Sequence, residues 1–324
     1  MSLSSAFTAA AISLVVGLAL QPLAIRWLRQ RGMMDVPNHR SSHAAITPRG
    51  GGLAVLAALL VGTLSQSPRG TTTAILVLGT SVLGAVGLVD DLRGLQPKVR
   101  LVAQLGVGAL AGLWLPAPML ALASLAACAL WVASFVNAFN FMDGINGISA
   151  LTALVAGISY ATMGYSVDDA AILGFGAALA GAALSFLRFN VPRAQVFLGD
   201  VGSYGLGFAI AALGWAVWVA GIPLLLAIAP AAVYLVDTGS TLIARWRRGE
   251  SLTEAHREHV YQRLTQGGWS HVRTSVFVAC VQVAVVSTVA LGFASSMWVA
   301  TLAIPVLGLY WASPRIVRRP VVSG

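Results

Sequence analysis

The 324-residue chain is 57% hydrophobic and 10% charged, far below the roughly 25% charged residues of a soluble globular domain. This composition excludes a soluble protein and predicts an integral membrane protein that forms a single domain over residues 1–324. The formal net charge of +9 could indicate a nucleic-acid partner. We expect none, because basic cytoplasmic loops account for this charge.

Eleven apolar runs predict eleven transmembrane helices, and hence an all-α polytopic fold, because about 20 apolar residues cross a bilayer. The runs lie near residues 6–25, 51–66, 72–89, 101–116, 119–136, 149–164, 170–187, 202–220, 222–244, 274–292 and 295–312. Basic residues follow the first run instead of preceding it, which predicts a retained span and not a signal peptide.

Small residues inside these runs are interpreted as packing residues. The two cysteines, Cys128 and Cys280, both lie within apolar runs, where a disulfide framework is not expected. Gly108 and Gly112 form a GxxxG pattern, but such patterns are common by chance in a chain with 34 glycines. Neither feature indicates function.

Basic residues orient the spans, because Lys and Arg accumulate in cytoplasmic loops. With the N-terminus periplasmic and the C-terminus cytoplasmic, only Arg69 of the 20 basic residues lies outside. Nine of the eleven acidic residues map to the same cytoplasmic side. The other two, Asp168 and Asp169, fall in an outer loop and are interpreted as solvating a turn.

Four polar clusters lie on the predicted cytoplasmic side, where ionisable residues at the ends of membrane helices indicate function. Their sequences are "LVDDLRGLQPKVR" (88–100), "NAFNFMDGINGISA" (137–150), "RFNVPRAQVFLGDVGSYGLGF" (188–208) and "EAHREHVYQRL" (254–264). The last cluster belongs to a predicted cytoplasmic substrate loop over residues 245–273. The histidines of "DVPNHRSSHAAITPRGGG", His39 and His43, are weaker candidates.

These residue types suit metal-assisted phosphoryl transfer. Carboxylate and amide oxygens are ligands that Mg²⁺ prefers, and basic side chains suit a diphosphate. Glycines beside Asp200 allow backbone N–H groups to approach a phosphate at the start of a helix. Each cluster also has a structural interpretation, namely helix caps for the aspartates, interhelical hydrogen bonds for the asparagines and solvated loop positions for the histidines.

Taken in this order, the four clusters resemble the polyprenyl-phosphate N-acetylhexosamine-1-phosphate transferases of glycosyltransferase family 4, over about residues 33–265. The resemblance implies transfer of a sugar-1-phosphate from a UDP-N-acetylhexosamine to undecaprenyl phosphate, with release of UMP. It also implies Mg²⁺ as cofactor, with Mn²⁺ as a substitute, a multi-pass location in the bacterial inner membrane, and a homodimer. The "HREH" form resembles the subgroup that starts O-antigen and other surface glycans.

The resemblance also implies roles for individual residues. The metal ligands would be Asn140 and Asp200, and the uracil contacts would be Phe197 and Asn146. The catalytic acids would be Asp90 and Asp91, which position or activate the lipid phosphate, together with Asp143. The remaining substrate contacts, including a diphosphate clamp, would be Lys98, Arg100, Asn137, His256, Arg257 and His259.

Two departures from the family pattern concern specificity. Asn146 stands where many bacterial members have aspartate, so the uracil contact would be an amide. Gly94 and Leu95 stand where a third acid sometimes follows the acidic pair. The sequence does not name the sugar.

Two questions of function stay open. Direct attack by the lipid phosphate competes with a covalent route through Asp90 or Asp91. The rival function classes are a secondary transporter, whose polar groups should lie near the bilayer midplane, and another membrane lipid transferase of the isoprenoid or CDP-alcohol type.

Overall fold

The computed structural model describes residues 2–37, 45–66, 68–251 and 256–317. The helices are α1 (Leu3–Gln30), α2 (Gly52–Gln66), α3 (Thr71–Arg93), α4 (Pro97–Trp114), α5 (Ala121–Met142), α6 (Ile148–Ser166), α7 (Ala170–Asn190), α8 (Gly199–Val219), α9 (Leu224–Ile228), α10 (Ala232–Arg247), α11 (Val260–Gln266), α12 (His271–Ala294), α13 (Met297–Ala300) and α14 (Ala303–Val317). Strands β1 (Met34–Asp35) and β2 (Thr47–Pro48) pair antiparallel between α1 and α2. His39 and His43 lie outside the described residues.

Every apolar run that predicts a span is mainly helical, although the runs near 222–244 and 295–312 are each divided between two α-helices. Nine helical segments of the described chain are long and apolar enough to cross a membrane. They are α1, α3, α5, α6, α7, α8, α12, Leu224–Arg247 and Met297–Val317. The predicted number of eleven also includes α2 and α4. At 15 residues, α2 is about 22 Å long, shorter than a hydrocarbon core of about 30 Å, and α4 starts with charged residues. The structure is mostly helical with nine candidate spans, as expected of an all-α multi-pass membrane protein, while the number of eleven spans and the orientation stay predictions.

The outer loop residue Asp169 has a more specific role than solvating a turn. It is the N-cap of α7, and its side chain accepts hydrogen bonds from the N–H groups of Ala171 and Ile172. Such a cap satisfies backbone donors that otherwise lack partners at a helix start. Asp168, by contrast, is an exposed turn residue with a positive φ of 54°.

Helix α8 lies at the centre of the bundle, and 94% of its most apolar 18-residue stretch is buried. It packs against α2, α3, α5 and α6. Close approach is possible because glycines line these contacts: a Cβ on Gly87 would lie 2.1 Å from the backbone oxygen of Asp200. A Cβ on Gly52 would similarly lie 2.2 Å from the Gly202 Cα. The start of α8 is therefore fixed between the end of α3 and the start of α2.

The GxxxG pattern in α4 is a packing motif and not a chance occurrence. A Cβ on Gly108 would lie 2.8 Å from the Ala129 Cα, and one on Gly112 would lie 2.7 Å from the Cys128 Cβ. Cys128 is buried, which confirms its interpretation as a packing residue, whereas Cys280 is exposed on α12.

We expect Gly87→Ala to destabilise the protein, because the added methyl group meets rigid backbone at the start of α8. Overpacking of this kind costs about 1–3 kcal/mol. The measurement is the thermal unfolding midpoint of the purified protein in detergent. Gly106→Ala is the matched control, because a Cβ there meets no atom within 4 Å and alanine favours a helix interior. Equal midpoints for the two variants would contradict the packing argument.

Candidate active site

Asp91, in the last turn of α3, caps the start of α8. Its Oδ1 accepts a hydrogen bond from the N–H of Asp200 at 3.0 Å, and its Oδ2 accepts one from the N–H of Val201 at 2.9 Å. The arrangement is favourable because the first N–H groups of a helix lack intrahelical partners and form the positive end of the helix dipole. The side chain of Asp91 is 1% exposed. Asp91 therefore fixes the start of the helix that carries Asp200.

Arg49 joins Asp91 to Asp200. Its Nε lies 2.9 Å from Oδ1 of Asp91 and its Nη2 lies 2.8 Å from Oδ2 of Asp200. Burial lowers the pKa of Arg49, but the carboxylates of Asp200 and Asp91 raise it by more, so the guanidinium stays charged. In the sequence, Arg49 is only one of the basic residues that map to the predicted cytoplasmic side. The signal that could have found it is the run "TPRGGG", because consecutive glycines indicate close backbone approach.

The two predicted metal ligands lie in contact. The Asn140 amide donates to Oδ1 of Asp200 at 2.9 Å and to Oγ of Ser203 at 2.8 Å. Carboxylate, amide and hydroxyl oxygens are the donor set that fits Mg²⁺, and Asp200 keeps 14% exposure. The described residues contain no cluster of three or more His, Cys, Asp or Glu that could hold a metal alone. This donor set fits an ion that keeps water ligands and also binds substrate phosphate.

Asp90 forms an ion pair with Arg100 and not with Arg49. Its Oδ2 accepts hydrogen bonds from the Tyr204 hydroxyl at 2.6 Å and from Nη1 of Arg100 at 3.1 Å. Its Oδ1 accepts a third from the N–H of Leu95 at 2.7 Å. Two adjacent carboxylates thus coexist because each has its own guanidinium. Lys98 is exposed and forms no ion pair with another described residue.

Asn137 lies one helical turn before Asn140, but its amide serves helix packing. Its Nδ2 donates to Oε1 of Gln104 in α4 at 2.6 Å and to the Ala133 carbonyl at 2.7 Å. The geometry therefore favours the structural interpretation of this residue, an interhelical hydrogen bond.

Asp143 follows the end of α5 and accepts a hydrogen bond from the Ser149 hydroxyl at 2.6 Å. Burial raises the pKa of this carboxyl group to about 7, although the hydrogen bond from Ser149 and the charge of Arg49 lower it. The carboxyl is therefore partly protonated at neutral pH. No hydrogen bond joins it to Asn140 or Asp200 through side chains in the described structure.

The predicted uracil contacts lie on loops that Asn190 ties together. Oδ1 of Asn190 accepts a hydrogen bond from the N–H of Gly147 at 2.6 Å, and its Nδ2 donates to the carbonyl of Val196 at 3.0 Å. Gly147 follows Asn146, and Val196 precedes Phe197. The two predicted contacts are thus on adjacent loops. Asn146 itself donates to the Pro192 carbonyl at 3.1 Å.

Asp237, a buried aspartate in α10, holds the described part of the fourth cluster, residues 256–264, which we call the histidine segment. Oδ1 of Asp237 lies 3.0 Å from Nδ1 of His259 and accepts the Val260 N–H at 3.0 Å. Its Oδ2 accepts the Tyr310 hydroxyl at 2.7 Å. With Asp237 as acceptor, Nδ1 of His259 carries the proton and Nε2 is left for another partner. Sequence reasoning treated Asp237 only as one of the acids on the cytoplasmic side.

The rest of the histidine segment lies beside this pair. The His256 and His259 rings are 4.9 Å apart, and Nδ1 of His256 is buried with no hydrogen-bond partner among the described residues. Burial, together with His259 and Arg245, lowers the pKa of His256, so its ring is neutral at pH 7. Arg257 lies between these histidines, and its carbonyl accepts a hydrogen bond from Gln266. An orphaned ring nitrogen beside basic residues fits an anionic ligand.

Two anchors place this segment against the other clusters. The Tyr261 hydroxyl donates to the carbonyl of Phe141, one residue after Asn140, at 3.0 Å. Gly144 leaves room for that hydroxyl, since a Cβ there would lie 2.1 Å from it. Nη1 of Arg245 lies 2.7 Å from Oε1 of Glu258 and so ties the segment to the end of α10. All four predicted clusters therefore meet at one end of the helices.

Comparison with known proteins gives a consistent result. A model described as "Glycosyl transferase family 4" matches residues 73–220. The chain is 29% identical to "Probable undecaprenyl-phosphate N-acetylglucosaminyl 1-phosphate transferase" of Bacillus subtilis, covering 82% of this chain and 79% of the relative. It is 30% identical to "Decaprenyl-phosphate N-acetylglucosaminephosphotransferase" of Mycobacterium tuberculosis, covering 85% and 78%. It is also 30% identical to "Phospho-N-acetylmuramoyl-pentapeptide-transferase" of Halalkalibacterium halodurans, covering 82% and 90%.

We expect Asp237→Ala to loosen the histidine segment, because it leaves the donors of His259, Val260 and Tyr310 without their acceptor. Each unsatisfied buried donor costs about 1–3 kcal/mol. The measurements are the thermal midpoint and the rate of tryptic cleavage after Arg257 and Arg263. Tyr310→Phe is the graded control, because it removes one hydrogen bond and leaves the other two. Wild-type cleavage rates in Asp237→Ala would show that this network does not hold the segment.

Proposed function

Because the chain belongs to glycosyl transferase family 4, the polyprenyl-phosphate sugar-1-phosphate transferases, we propose that it transfers N-acetylhexosamine-1-phosphate from a UDP-sugar to undecaprenyl phosphate. The products are UMP and a lipid-linked diphosphosugar. The observation that carries this proposal is the meeting of Arg49, Asp91, Asn140 and Asp200 at the start of α8. Carboxylate, amide and guanidinium groups together suit a reaction between two phosphates.

The position of the site favours this function over secondary transport. Asp90 and Asp91 end α3, Asn140 lies in the last turn of α5, and Asp200 opens α8. A transporter of the broken-helix type binds its substrate near the bilayer midplane. A site formed at helix termini instead lies where a water-soluble UDP-sugar and a lipid phosphate can both arrive, which we propose is the cytoplasmic side of the bacterial inner membrane.

Direct displacement is the mechanism that the geometry supports. An oxygen of the lipid phosphate forms a bond to the sugar-linked phosphorus, while the bond between that phosphorus and the bridging oxygen breaks and UMP leaves with the electron pair. The attacking phosphate has a second pKa near 6, so it is largely a dianion at pH 7 and needs little help from a base. Asp90 and Asp91 are 6% and 1% exposed and are bound to protein donors. These contacts support a structural role for both carboxylates over that of a nucleophile.

Charge neutralisation then becomes the main task of the site. Asp200 and Asn140 would hold Mg²⁺, or Mn²⁺ in its place, which when bound supplies Lewis-acid polarisation of the phosphate oxygens. Arg100 is 31% exposed beside Asp90 and would contact a phosphate. His256, Arg257 and His259 would bind the diphosphate, with Lys98 at the rim. Phe197 and Asn146 would bind uracil.

The donor sugar and pathway are finer parts of the proposal. The names of two relatives specify N-acetylglucosamine and that of a third specifies a MurNAc-pentapeptide. The "HREH" form favours a donor without a peptide. We therefore propose an N-acetylhexosamine donor and a role in starting a surface glycan such as O-antigen, by a homodimer.

Purified wild-type protein should release UMP from at least one UDP-N-acetylhexosamine when undecaprenyl phosphate and Mg²⁺ are present. The panel contains UDP-GlcNAc, UDP-GalNAc, their 6-deoxy analogues and UDP-MurNAc-pentapeptide. Omitting the lipid should stop UMP release, because direct displacement requires the acceptor. UMP–UDP-sugar exchange without lipid would instead favour the covalent route. Labelled sugar flux into vesicles with no UMP would support a transporter.

We expect Asp200→Asn to lower the rate of UMP release by about 10²-fold or more, because a preorganised electrostatic contact to the reacting phosphate is lost. The matched control is Asp168→Asn, which also removes one carboxylate, lies in the outer loop, and keeps a residue type that tolerates a positive φ. Thermal midpoints establish that both variants are folded. Near-wild-type turnover by folded Asp200→Asn would show that the metal assignment is wrong.

A further inference from the structure

The segment around Arg49 is registered by its backbone against the segment that precedes Asp200. The N–H of Phe197 donates to the Pro48 carbonyl at 2.8 Å, and the Phe197 carbonyl accepts the N–H of Gly51 at 2.8 Å. The N–H of Gly52 donates to the Leu198 carbonyl, also at 2.8 Å. These bonds resemble a short parallel strand pair, with Arg49 opposite Phe197. The position of the Arg49 backbone therefore does not depend on its side chain.

The three glycines after Arg49 make this pairing possible. Gly50 has a φ of 116°, and a Cβ there would lie 2.9 Å from the Leu28 side chain. A Cβ on Gly51 would lie 2.9 Å from Val196. Glycine is required where a backbone adopts a positive φ or approaches another closely. The glycines of "RGGG" thus allow the backbone to hold the Arg49 side chain at a fixed position.

The Arg49 guanidinium contacts two carboxylates, one through each of two nitrogens. Nε points to Asp91 and Nη2 points to Asp200. The Asp200 carboxylate is held from its other side, where Oδ1 accepts from Asn140. Its plane is therefore set by one contact on each oxygen. Arg49 also separates two like charges, Asp91 and Asp200, that would otherwise repel each other.

We propose that Arg49 is a positioning residue of the active site, which orients the Asp200 carboxylate by bridging it to Asp91. The inference rests on the proposed function. Lysine at position 49 cannot bridge the two carboxylates in this way, because an ammonium group is a point charge without the planar, forked geometry of a guanidinium. In this role Arg49 contacts Asp91 and Asp200 and not the substrate. Its loss should therefore lower kcat and leave the KM for the UDP-sugar unchanged.

The positioning role of Arg49 can be tested by chemical rescue, because its side chain is accessible. Its side chain is 42% exposed and lines a cavity of about 320 Å³ together with Arg31, Asp35, Asp91 and Leu92. A small guanidinium ion can therefore reach the place that Arg49→Ala leaves. Arg31 lines the same cavity, but its guanidinium lies over the Trp27 ring, 5.5 Å from the centroid. Arg31→Ala is the matched control, with the same change in charge and no carboxylate partner among the described residues.

The experiment compares Arg49→Ala, Arg49→Lys and Arg31→Ala by UMP release and thermal midpoint. We expect Arg49→Ala to lose about 10²-fold in kcat, the scale of loss when a reacting geometry is displaced, with KM unchanged. Arg49→Lys should remain impaired although it keeps the charge and the fold. Methylguanidinium should partly restore kcat in Arg49→Ala and raise its thermal midpoint without substrate, whereas methylammonium at equal ionic strength should do neither. Arg31→Ala should behave as wild type.

Several outcomes would overturn the proposal. They are wild-type kcat in folded Arg49→Ala, wild-type kcat in Arg49→Lys, a loss expressed only in KM, or equal rescue by both cations. If Arg49→Ala does not fold, the kcat of Arg49→Lys decides whether the guanidinium of Arg49 is needed for positioning. Failure of the proposed function looks different, because the wild-type protein would then release no UMP from any donor. The effect of methylguanidinium on the midpoint of Arg49→Ala needs no donor and remains measurable in that case.

Discussion

The site depends on the contact between the Asp91 carboxylate and the first N–H groups of α8. A buried carboxylate is costly, by several kcal/mol even after relaxation. Here its cost is offset by two backbone donors at the positive end of a helix and by Arg49. The same contact sets where α8 begins, and hence where Asp200 lies relative to Asn140. Changes at Asp91 therefore act on the whole site and not on one catalytic step.

A second constraint is that most acids of the site have a basic partner within the protein, whereas Asp143 accepts a hydrogen bond from Ser149 instead. Asp90 pairs with Arg100, Asp91 and Asp200 share Arg49, and Asp237 pairs with His259. This pairing explains how so many charges fit at the ends of membrane helices. Of these cations, Arg100 is 31% exposed and would contact a phosphate in the proposed reaction. Binding of that phosphate would then be linked to rearrangement of the ion pair between Arg100 and Asp90.

The sequence predicted the helices and the four clusters well, because hydrophobic runs and loop charge carry strong signals. It predicted that the four clusters lie together at one end of the helices, since alternating spans place alternate loops at the same end. It could not predict which residues pair. Arg49 was one of many basic loop residues, and Asp237 was one acid in an apolar run. Asn137 shared a motif with Asn140 but points to Gln104, which only the packing of α4 on α5 determines.

The two halves of the site are attached to the bundle in different ways. The half that holds Asp200 is fixed by backbone hydrogen bonds between residues 48–52 and 197–198 and by the glycine contacts of α8. The histidine segment is attached through side chains, namely Asp237, Arg245 and Tyr261. Its sequence between these anchors can change without moving Asp200. If the proposed function holds, variation in the histidine segment would change how the donor is bound while the frame that positions Asp200 stays in place.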